Sequence, residues 1–195
     1  ALGLIRHAKK IKADGVLVVT PYYNRPTQEG LFRHYQFLAS RVDIPIVLYN
    51  VPGRTGVSIA PETEARISKI DNIVAIKEAS GSMDQADQIM QLCDLPILSG
   101  EDSMNFPLIA IGARGVISVV ANIVPKLVKG LVAAALAGSL IVIWVAGWLI
   151  YTTGLPWNLL WLLPVLAAWA LVRGHTAFAA VLRDPVAGGI LVAQG

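Results

Sequence analysis

The sequence has a single cysteine, Cys93, among its 195 residues. An intramolecular disulfide and a cysteine-based zinc site are therefore excluded. Charge is also sparse. Charged residues make up 15% of the chain, against about 25% in an ordinary soluble domain. The net charge of +3 is too small and too scattered for a nucleic-acid-binding surface. His7, His34 and His175 stand far apart and match no ligand spacing, so neither a metal nor a cofactor is expected. No signal peptide is expected, because the apolar opening Ala1–Ile5 is short and runs into Arg6, Lys9, Lys10 and Lys12. That opening suits the end of an amphipathic helix, and a start in mid-helix suggests a fragment. What the chain does have is apolar residues, at 55%. Disorder is excluded for the chain as a whole.

The charges are distributed unevenly. Residues 1–138 carry 14 of the 16 Lys and Arg and 12 of the 13 Asp and Glu. From Gly130 to Val172 there is no charge at all, and all five tryptophans lie in that stretch. A bilayer-spanning helix needs about 20 apolar residues. The stretch has room for two, Leu131–Tyr151 and Trp157–Val172, broken at Thr152–Pro156. Lys126 and Lys129 precede the pair and Arg173 and Arg183 follow it, which would keep both ends on the cytoplasmic side. The expected organisation is a domain over residues 1–130 and a hydrophobic, membrane-contacting tail over 131–195, the contact running through residues 131–172. A buried helix pair in a larger soluble protein is the alternative.

Residues 1–130 repeat a different pattern. Short apolar runs begin at Val16, Ile46, Ile73, Pro96 and Val116 and are rich in β-branched residues. Nearly continuous apolarity suits strands buried on both faces of a parallel sheet. Helical segments fall between them: Thr27–Arg41, Glu62–Ile70 opened by Pro61, Met83–Leu92 capped by Ser82, and Ser103–Ile111 stopped by Gly112. Strand and helix in alternation mean an α/β fold with right-handed crossovers. The first run lacks a glycine-rich phosphate loop, which argues against dinucleotide binding. Five βα units suit the latter part of a (β/α)₈ barrel.

Polar and reactive residues gather at the C-terminal ends of these runs: Thr20, Tyr23, Tyr49, Asn50, Lys77, Ser99 and Gly100. That end is where barrel enzymes place their chemistry. At the mouth of a packed barrel, desolvation would favour the neutral amine of Lys77, which can attack a keto group and form a Schiff base. A solvent-seeking lysine, or one paired with Glu78 or Glu101, is the plainer alternative. Tyr49 ends the preceding strand and could move protons to and from a carbinolamine. Arg54 lies in the tight segment Val51-Pro52-Gly53-Arg54-Thr55-Gly56 and could grip a carboxylate. Tyr22 and Tyr23 sit in a proline-bounded loop suited to a subunit contact. Gly100 and Ile117 end the next two strands, as pocket wall or as packing.

Four segments carry a resemblance to a known family. They are Thr20-Pro21-Tyr22-Tyr23-Asn24-Arg25-Pro26-Thr27-Gln28-Glu29-Gly30, Tyr49-Asn50-Val51-Pro52-Gly53-Arg54-Thr55-Gly56, Ile76-Lys77-Glu78-Ala79-Ser80-Gly81 and Leu98-Ser99-Gly100-Glu101-Asp102. In order and spacing they resemble the dihydrodipicolinate synthases, over about residues 1–138. The resemblance implies a pyruvate-dependent class I aldolase barrel without a cofactor, acting on pyruvate and aspartate semialdehyde in lysine biosynthesis. It also implies a cytoplasmic homo-oligomer, a dimer or tetramer. Lys77 matches the Schiff-base lysine and Tyr49 the proton-shuttling tyrosine. Tyr23 matches the tyrosine that reaches into a partner's site, and Tyr22 a residue near the interface and inhibitor cleft. Arg54 matches the arginine that meets the semialdehyde carboxylate, and Gly100 and Ile117 the pyruvate pocket wall. The related sialic acid lyases share the lysine and tyrosine but usually not the Arg-Thr-Gly run. The family's Gly-Thr-Thr-Gly-Glu segment has no counterpart here, so weak or no turnover is expected. A non-catalytic membrane protein bearing part of a barrel is the competing expectation.

Overall fold

A computed structural model of the chain describes residues 1–138. The chain divides into two units, Ala1–Val119 and Val120–Gly195. The first is built from five strands: β1 (Val16–Val19), β2 (Ile46–Asn50), β3 (Ile73–Glu78), β4 (Ile97–Ser99) and β5 (Gly115–Val116). They form one parallel sheet in chain order, each strand beside the next. The fold is thus α/β with a parallel sheet. The helices are α1 (Leu2–Lys10), α2 (Gln28–Ala39), α3 (Pro52–Thr55), α4 (Pro61–Ile67), α5 (Met83–Leu92) and α6 (Asn105–Ile111).

Local chemistry sets the helix starts. The Thr27 hydroxyl accepts from Gly30 N–H and caps α2, and Ser82 does the same for α5 through Gln85 N–H. Each satisfies one amide that the first helical turn leaves without a partner. Pro61 stands at the first position of α4, where its missing N–H costs nothing. Helix α2 buries Leu31, Tyr35 and Leu38. Its Tyr35 hydroxyl donates to the Val18 carbonyl at 3.1 Å, which fixes the helix to β1.

The two faces of the sheet differ. Ile46, Leu48 and Asn50 alternate along β2 and are fully buried, while Val47 and Tyr49 between them are half-buried. Period-two alternation sends these two sets to opposite faces. The first face lies under the helices: Asn50 bonds to the Ser58–Ile59 segment that enters α4, and Glu78 bonds to Gln85 of α5. The second face carries Val47, Tyr49, Ala75, Lys77 and Leu98 in paired register.

Several expected boundaries move. The segment Ser103–Ile111 is a 3₁₀ turn, Asp102–Met104, followed by α6. The last strand begins at Gly115 and ends at Val116, so Ile117 lies just past it. The Pro52–Thr55 segment is one helical turn, stopped by Gly56 in the left-handed region, where a tight loop was expected. Cys93 is the half-exposed C-cap of α5, not a core residue. Residues 125–138 are helical. Lys126 and Lys129 therefore lie within that helix instead of ahead of one starting at Leu131. Among the described residues no helix is long and apolar enough to cross a membrane. The remainder of the expected hydrophobic hairpin, from residue 139 onward, lies outside the described residues.

Candidate active site

The site begins as a row across the sheet. Val19, Tyr49, Lys77, Leu98 and Gly115 are paired in sequence from strand to strand. Register makes Tyr49 and Lys77 direct neighbours on the face away from the helices. Lys77 Nζ lies 4.1 Å from the centroid of the Tyr49 ring. The pairing expected from their positions at adjacent strand ends is therefore present.

Lys77 is 1% exposed. A lysine is seldom fully buried unless it is paired. The ion pairs among the described residues are Lys9–Asp43, Arg33–Glu29 and Arg66–Glu29. Lys77 joins none of them, so neither Glu78 nor Glu101 claims it, and it does not reach for solvent. Both plainer readings of this lysine are set aside. Its aliphatic stem is held by Gly100. A Cβ built there would stand 2.8 Å from Lys77 Cε and Cγ and 2.9 Å from Ala79 Cβ. Gly100 N–H also donates to the Glu78 carbonyl at 2.8 Å, fixing the chain close against β3. Ile117 is buried beside the next strand and donates its N–H to the Ser99 carbonyl at 2.8 Å.

Other expected site residues are not gathered there. Asn50 and Ser99 sit one residue past the row, so alternation turns them to the helix side. Arg54 is exposed in α3. Among the described residues none bonds its guanidinium. Tyr23 is 92% exposed and Tyr22 is exposed beside it. Their loop does approach the Arg54 turn. Gly56, in the left-handed conformation at φ 71°, lies so close that a Cβ would meet Arg25 Nε at 2.6 Å. Glycine is required at that position twice over, for its φ and for the contact.

The acids behind the row were not singled out from sequence. Glu78 is buried on the helix face, where burial lifts its acid above the usual carboxylate range. Hydrogen bonds from Ser80, Asn50 and Gln85 pull it partly back. Glu64 in α4 is also fully buried, and neither carboxyl oxygen has a hydrogen-bond partner among the described residues. Its acid is raised well above the ordinary value, first by burial and then by the nearby Glu78 and Cys93. Glu64 stands three residues before the buried Ile67, so helical spacing was the available signal. Among the described residues no cluster of three or more His, Cys, Asp or Glu could hold a metal.

This geometry can be set beside known proteins. The family model described as the dihydrodipicolinate synthetase family matches residues 1–143. The chain belongs to the dihydrodipicolinate synthetase family. Its curated relatives include the 4-hydroxy-tetrahydrodipicolinate synthase of Geobacter sulfurreducens, 59% identical over 142 residues. That match covers 72% of this chain and 49% of the relative. The chain thus spans about half the length of the curated family members it matches. Among solved structures, the 4-hydroxy-tetrahydrodipicolinate synthase of Methylacidiphilum fumariolicum is 38% identical with a TM-score of 0.69, covering 100% of this chain and 63% of that one. A chloride-inhibited dihydrodipicolinate synthase from Acinetobacter baumannii, solved with pyruvate, is 33% identical with a TM-score of 0.67. That match covers 93% of this chain and 68% of the other. The family match runs five residues past the 138 over which the resemblance was read, into the uncharged stretch.

Proposed function

We propose that Lys77 is the Schiff-base lysine of a dihydrodipicolinate synthase-type aldolase and that Tyr49 serves it as the proton carrier. The observation carrying this reading is a buried lysine with no ion pair, its Nζ against the Tyr49 ring and its stem against Gly100. In this reading the Lys77 amine adds to the keto carbon of pyruvate and the carbinolamine loses water to give an imine. Tyr49 returns the proton that the departing hydroxyl needs. Loss of a methyl proton then gives an enamine, whose terminal carbon attacks the aldehyde carbon of aspartate semialdehyde. Arg54, exposed and unengaged among the described residues, is suited to hold the semialdehyde carboxylate by a bidentate pair. Gly100 and Ile117 line the pyruvate end. The relative solved with pyruvate supports this choice of first substrate.

The sheet is read as the latter five units of a (β/α)₈ barrel, with domain 1–130 as its extent and 131–195 as a separate hydrophobic tail. Tyr23, and Tyr22 beside it, are read as a contact with a second copy in a dimer or tetramer, which their exposure permits. A polypeptide of these 195 residues should form the imine yet condense poorly, because the relay threonine of the family is not among them. The uncharged stretch supports membrane contact by the tail, with the aldolase part on the cytoplasmic side. The enzymatic core of the reading is tested by proton exchange. Pyruvate in deuterated water should gain deuterium at its methyl group when the chain is added. No exchange above the buffer rate would overturn it.

A further inference from the structure

We propose that Glu78 and Asn50 are positioning residues that hold Lys77 against Tyr49, through a hydrogen-bond clamp on the opposite face of the sheet. The inference rests on the reading of Lys77 and Tyr49 as the reacting pair. Each clamp residue directly follows one member of that pair: Asn50 follows Tyr49, and Glu78 follows Lys77. The two are also register partners, like the pair itself. Alternation sends Asn50 and Glu78 away from substrate, so neither can take part in the chemistry directly.

The clamp closes on the strand ends. Asn50 Nδ2 donates to Glu78 Oε2 at 2.9 Å and to Ser58 Oγ at 3.3 Å, and Asn50 Oδ1 accepts from Ile59 N–H at 3.1 Å. Glu78 Oε1 accepts from Ser80 N–H at 2.7 Å, and Oε2 accepts from Gln85 Nε2 at 3.4 Å. Both side chains are thus anchored to backbone amides, and neither can turn without giving one up. The backbone follows the same lines, with Ala79 N–H donating to the Asn50 carbonyl at 2.9 Å and Gly100 N–H to the Glu78 carbonyl at 2.8 Å. Three neighbouring strand ends are tied together immediately behind the lysine. A plain structural role would need only burial; this arrangement fixes the two positions whose neighbours must stay in contact.

The donor and acceptor pattern makes the clamp testable. Glu78 receives three N–H donors on two oxygens and offers none that the structure uses. In Glu78→Gln the remaining oxygen must face Ser80 N–H, whose position is fixed by the chain. The new amide nitrogen then faces Asn50 Nδ2, donor against donor. Asn50 can relieve this only by flipping, which abandons Ile59 N–H. The exchange Asn50→Asp with Glu78→Gln restores the pattern. The carboxylate introduced at position 50 accepts from both the amide introduced at position 78 and Ile59 N–H, and only the 3.4 Å contact to Gln85 is lost.

Two readouts separate positioning from stability, both taken on the 195-residue chain with pyruvate as probe. The first is the proton shift of the Lys77 ε-methylene in lysine-labelled protein, assigned by its loss in Lys77→Ala. Held over the Tyr49 ring, that signal should lie upfield of other lysines. The second is the rate of borohydride-trapped imine at saturating pyruvate. In folded Glu78→Gln the upfield shift should collapse and the imine rate fall by on the order of 10- to 100-fold, with the half-saturating pyruvate concentration little changed. The double exchange should recover both. An unchanged shift in folded Glu78→Gln overturns the clamp. If Glu78→Gln does not fold, the double exchange decides: recovery of the shift supports the clamp, and a folded double variant without the shift overturns it. If the wild-type chain traps no imine, the Lys77 reading fails, and the shift still judges the clamp.

Discussion

Replacing Gly100 by alanine should move Lys77 before it does anything else. The new Cβ would stand 2.8 Å from both Cγ and Cε of Lys77. Carbons pack best at about 3.5–4.0 Å, so relief takes roughly 0.7 Å of displacement. Ala79 Cβ at 2.9 Å blocks the other side, so the lysine stem must give way or the strand end must shift. Backbone conformation contributes nothing, since the glycines with positive φ are Gly56, Gly81 and Gly112. Overpacking of this kind costs about 1–3 kcal/mol, offset by about 0.4–1 kcal/mol from the stiffer unfolded chain. The net loss is then about 1–2 kcal/mol, a few degrees in Tm. Imine formation should suffer far more. A displacement approaching 1 Å at a reacting group costs up to about 10²-fold, so a fall of roughly 10- to 100-fold is expected. Borohydride trapping at timed intervals measures the rate, and thermal unfolding measures the stability. Gly53→Ala is the control, because nothing lies within 4 Å of a Cβ built there. A Gly100→Ala chain that forms the imine at the wild-type rate would refute the argument, as would an equal loss in the control.

Other outcomes follow from the same geometry. Tyr49→Phe keeps the ring that Lys77 packs on but removes the hydroxyl, so deuterium exchange into pyruvate should slow by on the order of 10²–10⁴; exchange at the wild-type rate would remove Tyr49 from the relay. Glu64 has its acid raised in the folded state, so the native protein holds a proton that the unfolded chain releases above its model value of 4.5. Its contribution is complete below that value and lost as pH rises toward the folded one, and Glu64→Gln should flatten the decline of Tm between about pH 4 and about pH 8. An unaltered slope in the variant would count against a neutral buried Glu64. The tail should carry the chain into the carbonate-resistant membrane fraction, whereas a polypeptide of residues 1–130 should not pellet. A 195-residue chain that stays monodisperse without detergent would defeat the membrane reading.

The sheet was legible because its signal is local. Runs such as Ile46–Asn50 are short, β-branched and apolar, and period-two burial follows from their chemistry. Ser82 and Thr27 likewise announce their helices through a hydroxyl that caps an amide within three residues. The Lys77–Tyr49 contact was legible as adjacency, since neighbouring parallel strands place their ends side by side. What sequence did not show depends on which face a strand end presents. Asn50 and Ser99 were expected to share the rim with Lys77, and a single residue of register turns them to the helix side. The burial of Glu78 and Glu64 comes from helices packed over them, which no local pattern of charge foretells. Arg54 was placed in a loop because Pro52 and Gly53 read as breakers. Pro52 instead starts a helical turn and Gly56 ends it.

The central claim is that Lys77 is the amine that captures pyruvate. The chain incubated with pyruvate and borohydride, digested and mapped by mass spectrometry, tests it directly. A pyruvate-dependent increment equal to pyruvate less one oxygen should appear on the peptide bearing Lys77 and vanish in Lys77→Ala. The same increment on Lys69 or Lys126, or none on any lysine of the folded chain, would contradict the account.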